Sequence, residues 1–211
     1  MSTPIIVLKE GSSERGEDEV RQHILVAAQV LNAALRPLLG PQGNFKLIMD
    51  SFGDVTVTSS GATVLEEVDI EHPVAKILVE LAKAMNKEVG DGVTSMVILT
   101  SELLEQGIAL QTQGIHASII EEAYEECLRK AVEVLEKNAR AFKITDRKTL
   151  FLIARTAITG SLSRNEREVL AEIAVEAAMK AREGNRPDLD RIKLDKKGGE
   201  VIFETKLLEG I

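Results

Sequence analysis

Between two apolar segments long enough to be helices lies Glu88-Val-Gly-Asp-Gly-Val-Thr-Ser-Met96. A Gly-Asp-Gly turn that opens a helix leaves backbone N–H groups without intrahelical partners, which suits an anion, and Asp91 offers the carboxylate that a phosphate-bound Mg²⁺ takes as ligand. The pattern reads as a nucleotide site without a P-loop. Standing alone, a glycine pair of this kind is more often a simple tight turn. The functional reading of Asp91 therefore depends on what the rest of the chain places beside it.

The elements that must position this turn can be read from periodicity. Val20, Ile24, Ala27, Leu31, Ala34 and Leu38 recur at steps of four and three, one face of an amphipathic helix that Gly40-Pro41 stops. Phe45-Lys-Leu-Ile-Met49 and Val55-Thr-Val-Thr58 flank the turn-rich residues 50–54 and predict a β-hairpin. An apolar pattern resumes at Ala62-Thr-Val-Leu65, with Ser60 suited to cap it. Pro73 stands at a first helical position, with Asp69 and Glu71 ahead of it, and Val74, Ile77, Leu78, Leu81 and Met85 form one face. Thr94 to Gln106 is apolar nearly all round, which predicts a helix buried on every side, and residues 117–138 carry Ile119, Ala123, Cys127, Ala131 and Leu135 on one stripe.

Lys143-Ile-Thr-Asp146 reads as a linker, so the domain boundary is expected at residue 144. Beyond it, residues 147–157 read as helix, and Ser163-Arg-Asn-Glu166 is a capping box opening another through about Arg182. Arg191-Ile-Lys-Leu194 and Glu200-Val-Ile-Phe203 predict two short strands around Lys196-Lys-Gly-Gly199. Another strand-like piece, Ile5-Ile-Val-Leu8, lies near the start, and the chain reads as stopping in mid-structure at Ile211.

With 44% hydrophobic residues, only 3% aromatic and no Trp, the core must be built from Ala, Val, Ile and Leu, which suits closely packed helices. The predicted fold is mainly α with small β elements. The formal charge of −8, without a basic stripe, argues against nucleic acid as a partner. No uninterrupted apolar run approaches the roughly 18–20 residues of a membrane span, nothing at the N-terminus reads as a signal peptide, and the single cysteine excludes an internal disulfide. A cytoplasmic chain without membrane contact is expected. His23, His72 and His116 are scattered and predict no metal site, Cys127 reads as a small buried hydrophobe, and the Glu and Lys run over 121–137 as a wet helix face.

Four segments in order, Leu39-Gly-Pro-Gln-Gly43, Thr58-Ser-Ser-Gly-Ala-Thr-Val-Leu65, Asp69-Ile-Glu-His-Pro73 and Gly90-Asp-Gly-Val-Thr-Ser95, together resemble the group II chaperonins, the thermosome of archaea and its eukaryotic cytosolic relative. The likeness continues through Gly114-Ile-His116 and Ile153-Ala-Arg-Thr-Ala-Ile-Thr-Gly160. It implies that residues 1–144 are the N-terminal part of an equatorial, nucleotide-binding helical domain and 145–211 the first half of an α+β intermediate domain, with the apical domain absent. Carried over by position, Leu39, Gly40 and Pro41 would line the nucleotide pocket, and Ser60, Gly61, Ala62 and Thr63 would meet it from the loop after the hairpin. Asp91 would ligate Mg²⁺, while Gly92, Val93, Thr94 and Ser95 would present N–H and hydroxyl groups to the phosphates of ATP. The resemblance also implies other chaperonin subunits as ring partners, joined through strands such as Ile5–Leu8 and Phe45–Met49, and unfolded proteins as clients.

Three departures stand against an ordinary ATPase of that family. Ser60 stands where the family has an Asp that orients the attacking water, and a hydroxyl cannot take a proton from water at neutral pH. Ser161 replaces a Lys, and Val93 replaces a Thr. The expectation is an ATP-binding chaperone subunit with weakened hydrolysis and no assigned catalytic residue. The alternative is a non-catalytic regulatory or interaction protein derived from a chaperonin half-subunit.

Overall fold

The computed structural model describes residues 16–40, 42–49, 53–68, 70, 72–158, 162–184, 186–195, 198 and 201–210. The chain divides into two compact units, residues 1–131 and 132–211. The first contains α1 (Glu17–Leu35), a 3-10 turn (Arg36–Leu38), β1 (Lys46–Met49), β2 (Val55–Thr58), α2 (Gly61–Glu67), α3 (Pro73–Glu88) and α4 (Val93–Thr112). Helix α5 (Ala117–Asn138) runs through the division. The second unit holds α6 (Arg147–Ala157), α7 (Arg164–Lys180) and a two-residue ribbon of β3 (Arg182–Glu183) and β4 (Arg186–Pro187).

The core of the first unit is one cluster in which each element spends its apolar stripe. Ala27, Leu31 and Leu35 of α1 and Leu38 of the 3-10 turn meet Val64 and Leu65 of α2, Ala75, Leu78, Val79 and Ala82 of α3, and Val93 and Val97 of α4. The buried face of α3 is turned from the expected one: Ala75, Leu78, Val79 and Ala82 point inward, while Ile77 and Leu81 are exposed, because the small side chains let the neighbouring helices approach; in α1, Val20 is exposed as well. Many side chains of the cluster are alanine or valine. The hairpin lays one face on this cluster: Ile48 packs inward, while Leu47, Met49, Val55 and Val57 face outward. Its antiparallel register pairs Leu47 with Val57 and Met49 with Val55, so the four outward residues form one exposed apolar patch.

Helix α4 differs from its expectation. It starts at Val93 and runs to Thr112, but only Val93, Val97 and Ser101 are buried, and Leu99 and Leu103 are exposed. Within this unit α4 packs on α1, α2 and α3, which cover one side of it and leave the other open. At 20 residues and a mean hydropathy of 1.2, it is long and apolar enough to cross a membrane, contrary to the expectation from uninterrupted apolar runs. Its Glu102 and Glu105 are nevertheless bonded to α1 side chains, Asn32 and Gln29. Helix α5 is likewise barer than its stripe suggested: Ile120 is its one buried residue, Tyr124 bonds the Leu103 carbonyl at 2.8 Å, and Cys127 is exposed instead of buried. An apolar stripe needs a facing element, and the described residues supply one only for the first turns of α5.

In the second unit, Asp146 caps α6 by accepting from the Thr149 amide at 3.2 Å, and Ser163 with Glu166 forms the expected capping box of α7. Arg147, early in α6, pairs with Glu176, late in α7, at 2.5 Å, while Arg155, late in α6, pairs with Glu168, early in α7, at 3.8 Å. The two helices therefore run antiparallel. The expected strands over 191–194 and 200–203 are not formed by the described residues there: Leu189–Arg191 and Ile202–Glu204 are 3-10 turns, and residues 192–195 have no regular structure. Alternating apolar residues make a strand only against a hydrogen-bonded partner. The chain instead reverses at Gly184, whose φ of +62° suits glycine, to pair β3 with β4. The Ile5–Leu8 piece, most of the hairpin turn and most of the Lys196–Gly199 turn lie outside the described residues.

The α7 box is sensitive to acid. The Glu166 carboxylate accepts from the Ser163 amide at 2.7 Å, and hydrogen bonds from Ser163 hold its pKa below the ordinary glutamate value. Because the folded value is the lower one, the contribution is complete above the ordinary value near about 4.3 and is lost as pH falls through the depressed one. The Ser163 amide resonance should accordingly titrate with a midpoint below that of a free glutamate, and should cease to titrate in Glu166→Gln. A midpoint at or above the free value would contradict the box.

Candidate functional site

Three turns rise from the buried cluster of the first unit. The first follows Leu38, which is buried, and carries Leu39, exposed, and Gly40 at φ +94°, a conformation glycine adopts without strain. It closes on itself through Gly43 N–H to the Gly40 carbonyl (3.0 Å) and Asn44 N–H to the Pro37 carbonyl (2.8 Å). A Cβ on Gly43 would lie 2.2 Å from the Leu38 carbonyl oxygen, so the position admits only glycine. Pro41 lies outside the described residues.

The second turn leaves β2 and enters α2. Ser60 is its N-cap: the Oγ accepts from the Thr63 amide at 3.3 Å, and the Ser60 amide donates to Thr58 Oγ1 at 3.0 Å. Gly61 is buried, and Ala62 and Thr63 are half-buried, with Ala62 against the core cluster. The third turn joins α3 to α4, with Gly90 at φ +76° and Gly92 at φ +80°. The Asp91 side chain is exposed, and its Oδ1 accepts from the Gly92 amide at 2.7 Å. Gly92 is the N-cap of α4 and has no side chain to bond the first amides of that helix. The N–H groups of Val93, Thr94 and Ser95 thus open a 20-residue helix whose dipole presents its positive end at the turn.

The second and third turns are pressed together at one point. A Cβ built on Gly61 would stand 2.3 Å from Thr94 Oγ1 and 3.3 Å from Thr94 Cβ. Thirty-odd residues apart in sequence, the Ser-Gly-Ala-Thr and Gly-Asp-Gly-Val-Thr-Ser segments form one surface, and the missing side chain of Gly61 is what lets them meet. The first turn shares their foundation, since Leu38, at its base, and Val93 belong to the same cluster. Thr94 is half-buried at the contact and Ser95 is exposed. Val93 reads differently from its expectation: its side chain is buried in the core. Valine there fills the core, so this exchange bears on packing, and only the Val93 amide belongs to the turn.

Asp91 suits a hard cation held jointly with a ligand. Among the described residues no group of three or more His, Cys, Asp or Glu gathers that could hold a metal alone. A single exposed carboxylate at a helix N-terminus matches the way Mg²⁺ is bound, through one or two carboxylates plus phosphate oxygens and water. Thr159, Gly160 and Ser161 lie outside the described residues. The histidines are less scattered than they read: His23 and His72 stack with ring centroids 6.0 Å apart. Sequence reasoning also missed a polar seam between α1 and α4, where Gln29 bonds Glu105 at 3.0 Å and Asn32 bonds Glu102 at 2.9 Å. Its signal was present in the three- and four-residue spacing of Gln29, Asn32 and Arg36 against Glu102 and Glu105.

Comparison with known proteins adds to this geometry. The model of the TCP-1/cpn60 chaperonin family matches residues 31–211. The chain is 45% identical to thermosome subunit beta of Thermococcus sp. strain KS-8, over 99% of this chain and 39% of that protein. It is 43% identical to the thermosome subunit of Pyrococcus horikoshii and 42% identical to thermosome subunit alpha of Archaeoglobus fulgidus, with the same coverage in both. The chain thus spans about 39% of the length of these relatives.

Proposed function

The chain belongs to the TCP-1/cpn60 chaperonin family, and from that premise we propose that it is an ATP-binding, thermosome-type chaperone portion with weakened hydrolysis. Residues 1–144 serve as the N-terminal part of an equatorial domain and 145–211 as the first half of an intermediate domain. The observation that carries the nucleotide reading is the closure of Gly61 onto Thr94, which gives one ligand access to both turns at once. The triphosphate lies against the amides of Gly92, Val93, Thr94 and Ser95, with Leu39, Gly40, Pro41, Ser60, Ala62 and Thr63 around it. Asp91 holds Mg²⁺, which supplies charge neutralisation at the phosphates when bound.

Weak turnover follows from Ser60. Its Oγ already accepts from the Thr63 amide, so the side chain at this position completes a helix end and has no basic group to offer water. The outward apolar patch of the hairpin supports pairing with other chaperonin subunits in a ring, and unfolded proteins are the clients. The acidic charge speaks against nucleic acid, the bonded carboxylates of α4 against a membrane, and the setting is cytoplasmic.

Titration calorimetry with Mg-ATP, followed by a phosphate-release assay, tests the proposal. Heat of binding with phosphate release far slower than that of a thermosome subunit is expected. Turnover at an ordinary chaperonin rate would remove the claim of weakened hydrolysis, and no heat with either ATP or ADP would remove the nucleotide site. The capping role of Ser60 also favours a second reading, a non-catalytic regulator of rings made by full-length relatives. A change in ring mass on adding the chain, unaffected by nucleotide, would select that reading.

A further inference from the structure

We infer that Glu102 is a positioning residue that sets the first turn, Leu39 to Asn44, against the start of α4; this rests on the nucleotide reading of the site. One carboxylate oxygen serves two donors of another helix: Glu102 Oε1 accepts from Asn32 Nδ2 at 2.9 Å and from Arg36 Nη1 at 3.2 Å. Asn32 is only 7% exposed, and its Oδ1 is buried without a partner, so the bond to Glu102 is what the structure provides for this amide inside the α1–α4 contact. A buried amide deprived of its acceptor is costly, which makes the pairing a register lock between the two helices. Sliding α1 along α4 by one turn would break both bonds together.

The lock sits where α1 hands over to the first turn. Arg36 begins the 3-10 turn, and its carbonyl accepts from the Leu39 amide at 3.2 Å. The Pro37 carbonyl accepts from Asn44, and the Leu38 carbonyl lies under Gly43 with no space between, so Leu39, Gly43 and Asn44 are hung from residues 36–38. On the other side, Glu102 is ten residues beyond Gly92 on a continuous helix, about 15 Å along its axis at roughly 1.5 Å per residue. A rigid α4 carries the register set at Glu102 to the Gly90–Thr94 turn. The side chain touches neither turn and acts through both helices.

The test is amide hydrogen exchange at Gly43 and Asn44, measured on the whole chain beside Mg-ATP affinity, for Glu102→Gln and Glu102→Ala. Alanine should speed exchange at these two amides at least tenfold and weaken nucleotide binding by a comparable factor. Glutamine keeps the accepting oxygen and should restore both to within about threefold of the parent chain. A variant Leu78→Ala, at a buried core position of α3, lowers overall stability and so controls for general destabilisation; it should speed exchange at Gly43 and Asn44 by less than about threefold. Glu102→Ala that lowers overall stability without selective exchange at Gly43 and Asn44 would overturn the proposal, and so would failure of glutamine to rescue. If the parent chain itself binds no nucleotide, the site reading fails, while the exchange pattern still decides the role of Glu102.

Discussion

Alanine at Gly61 should weaken Mg-nucleotide binding at least tenfold and destabilise the first unit by about 1–3 kcal/mol, the usual cost of forcing an extra methyl into a filled space. The new Cβ would lie 2.3 Å from Thr94 Oγ1, inside any tolerable contact, and Thr94 is anchored at the first turn of α4. Backbone conformation is no obstacle, because Gly61 does not require a positive φ and alanine is otherwise a better helix residue. The loss is therefore steric and local, which makes it separable. Removing the hydroxyl in Gly61→Ala/Thr94→Ala leaves the nearest contact at Cβ, 3.3 Å, and should recover most of the stability. The coupling term of that double-mutant cycle is the measurement, read from urea denaturation and nucleotide titration. Gly61→Ala indistinguishable from the parent in both assays would show that the two turns do not share a surface.

Leu35→Ala should be the most damaging single truncation in the first unit, at about 2–5 kcal/mol, because removing a large buried side chain loses its burial and leaves a void. Leu35 is 0% exposed, sits at the last turn of α1 and belongs to the one cluster that also takes in side chains of α2, α3 and α4. The matched control is Leu47→Ala on the outward face of the hairpin. That side chain is 69% exposed, and its truncation should stay within roughly 0.5 kcal/mol in the isolated chain. Denaturant midpoints compare the two, with an unchanged slope confirming that the unfolded reference is the same. Equal effects at the two positions would mean that the cluster around Leu35 is not the core of this unit. A deficit at Leu47 that emerges only when a larger assembly forms would point to the hairpin face as an interface.

How much of this could be read along the chain depends on the range of the interactions involved. Pro73 at the start of α3, the Ser163–Glu166 box and the hairpin all arise from contacts within a few residues, and the structure has each of them; the α1 stripe is kept at Ala27, Leu31 and Leu38 and lost at Val20, which is exposed. The errors have a common physical cause. Cys127, the outer side of α4 and the strands expected over 191–194 and 200–203 were assigned a covering or pairing element that the described residues do not supply. An apolar residue marks a surface that burial would stabilise, and does not say what buries it.

The site divides along the same line. Gly40, Gly90 and Gly92 mark turns, which the structure holds at positive φ, and a Gly-Asp-Gly ahead of an apolar run marks a helix N-terminus with a carboxylate beside it, so local sequence determined the backbone on which the proposed nucleotide site rests. Only the tertiary structure decided that Gly61 closes on Thr94, that the Val93 side chain belongs to the core and that Glu102 bridges Asn32 and Arg36. Backbone conformation is a property of neighbouring residues, whereas the meeting of two helix faces depends on the packing of the whole cluster around Leu35 and Val97. No single segment contains that information.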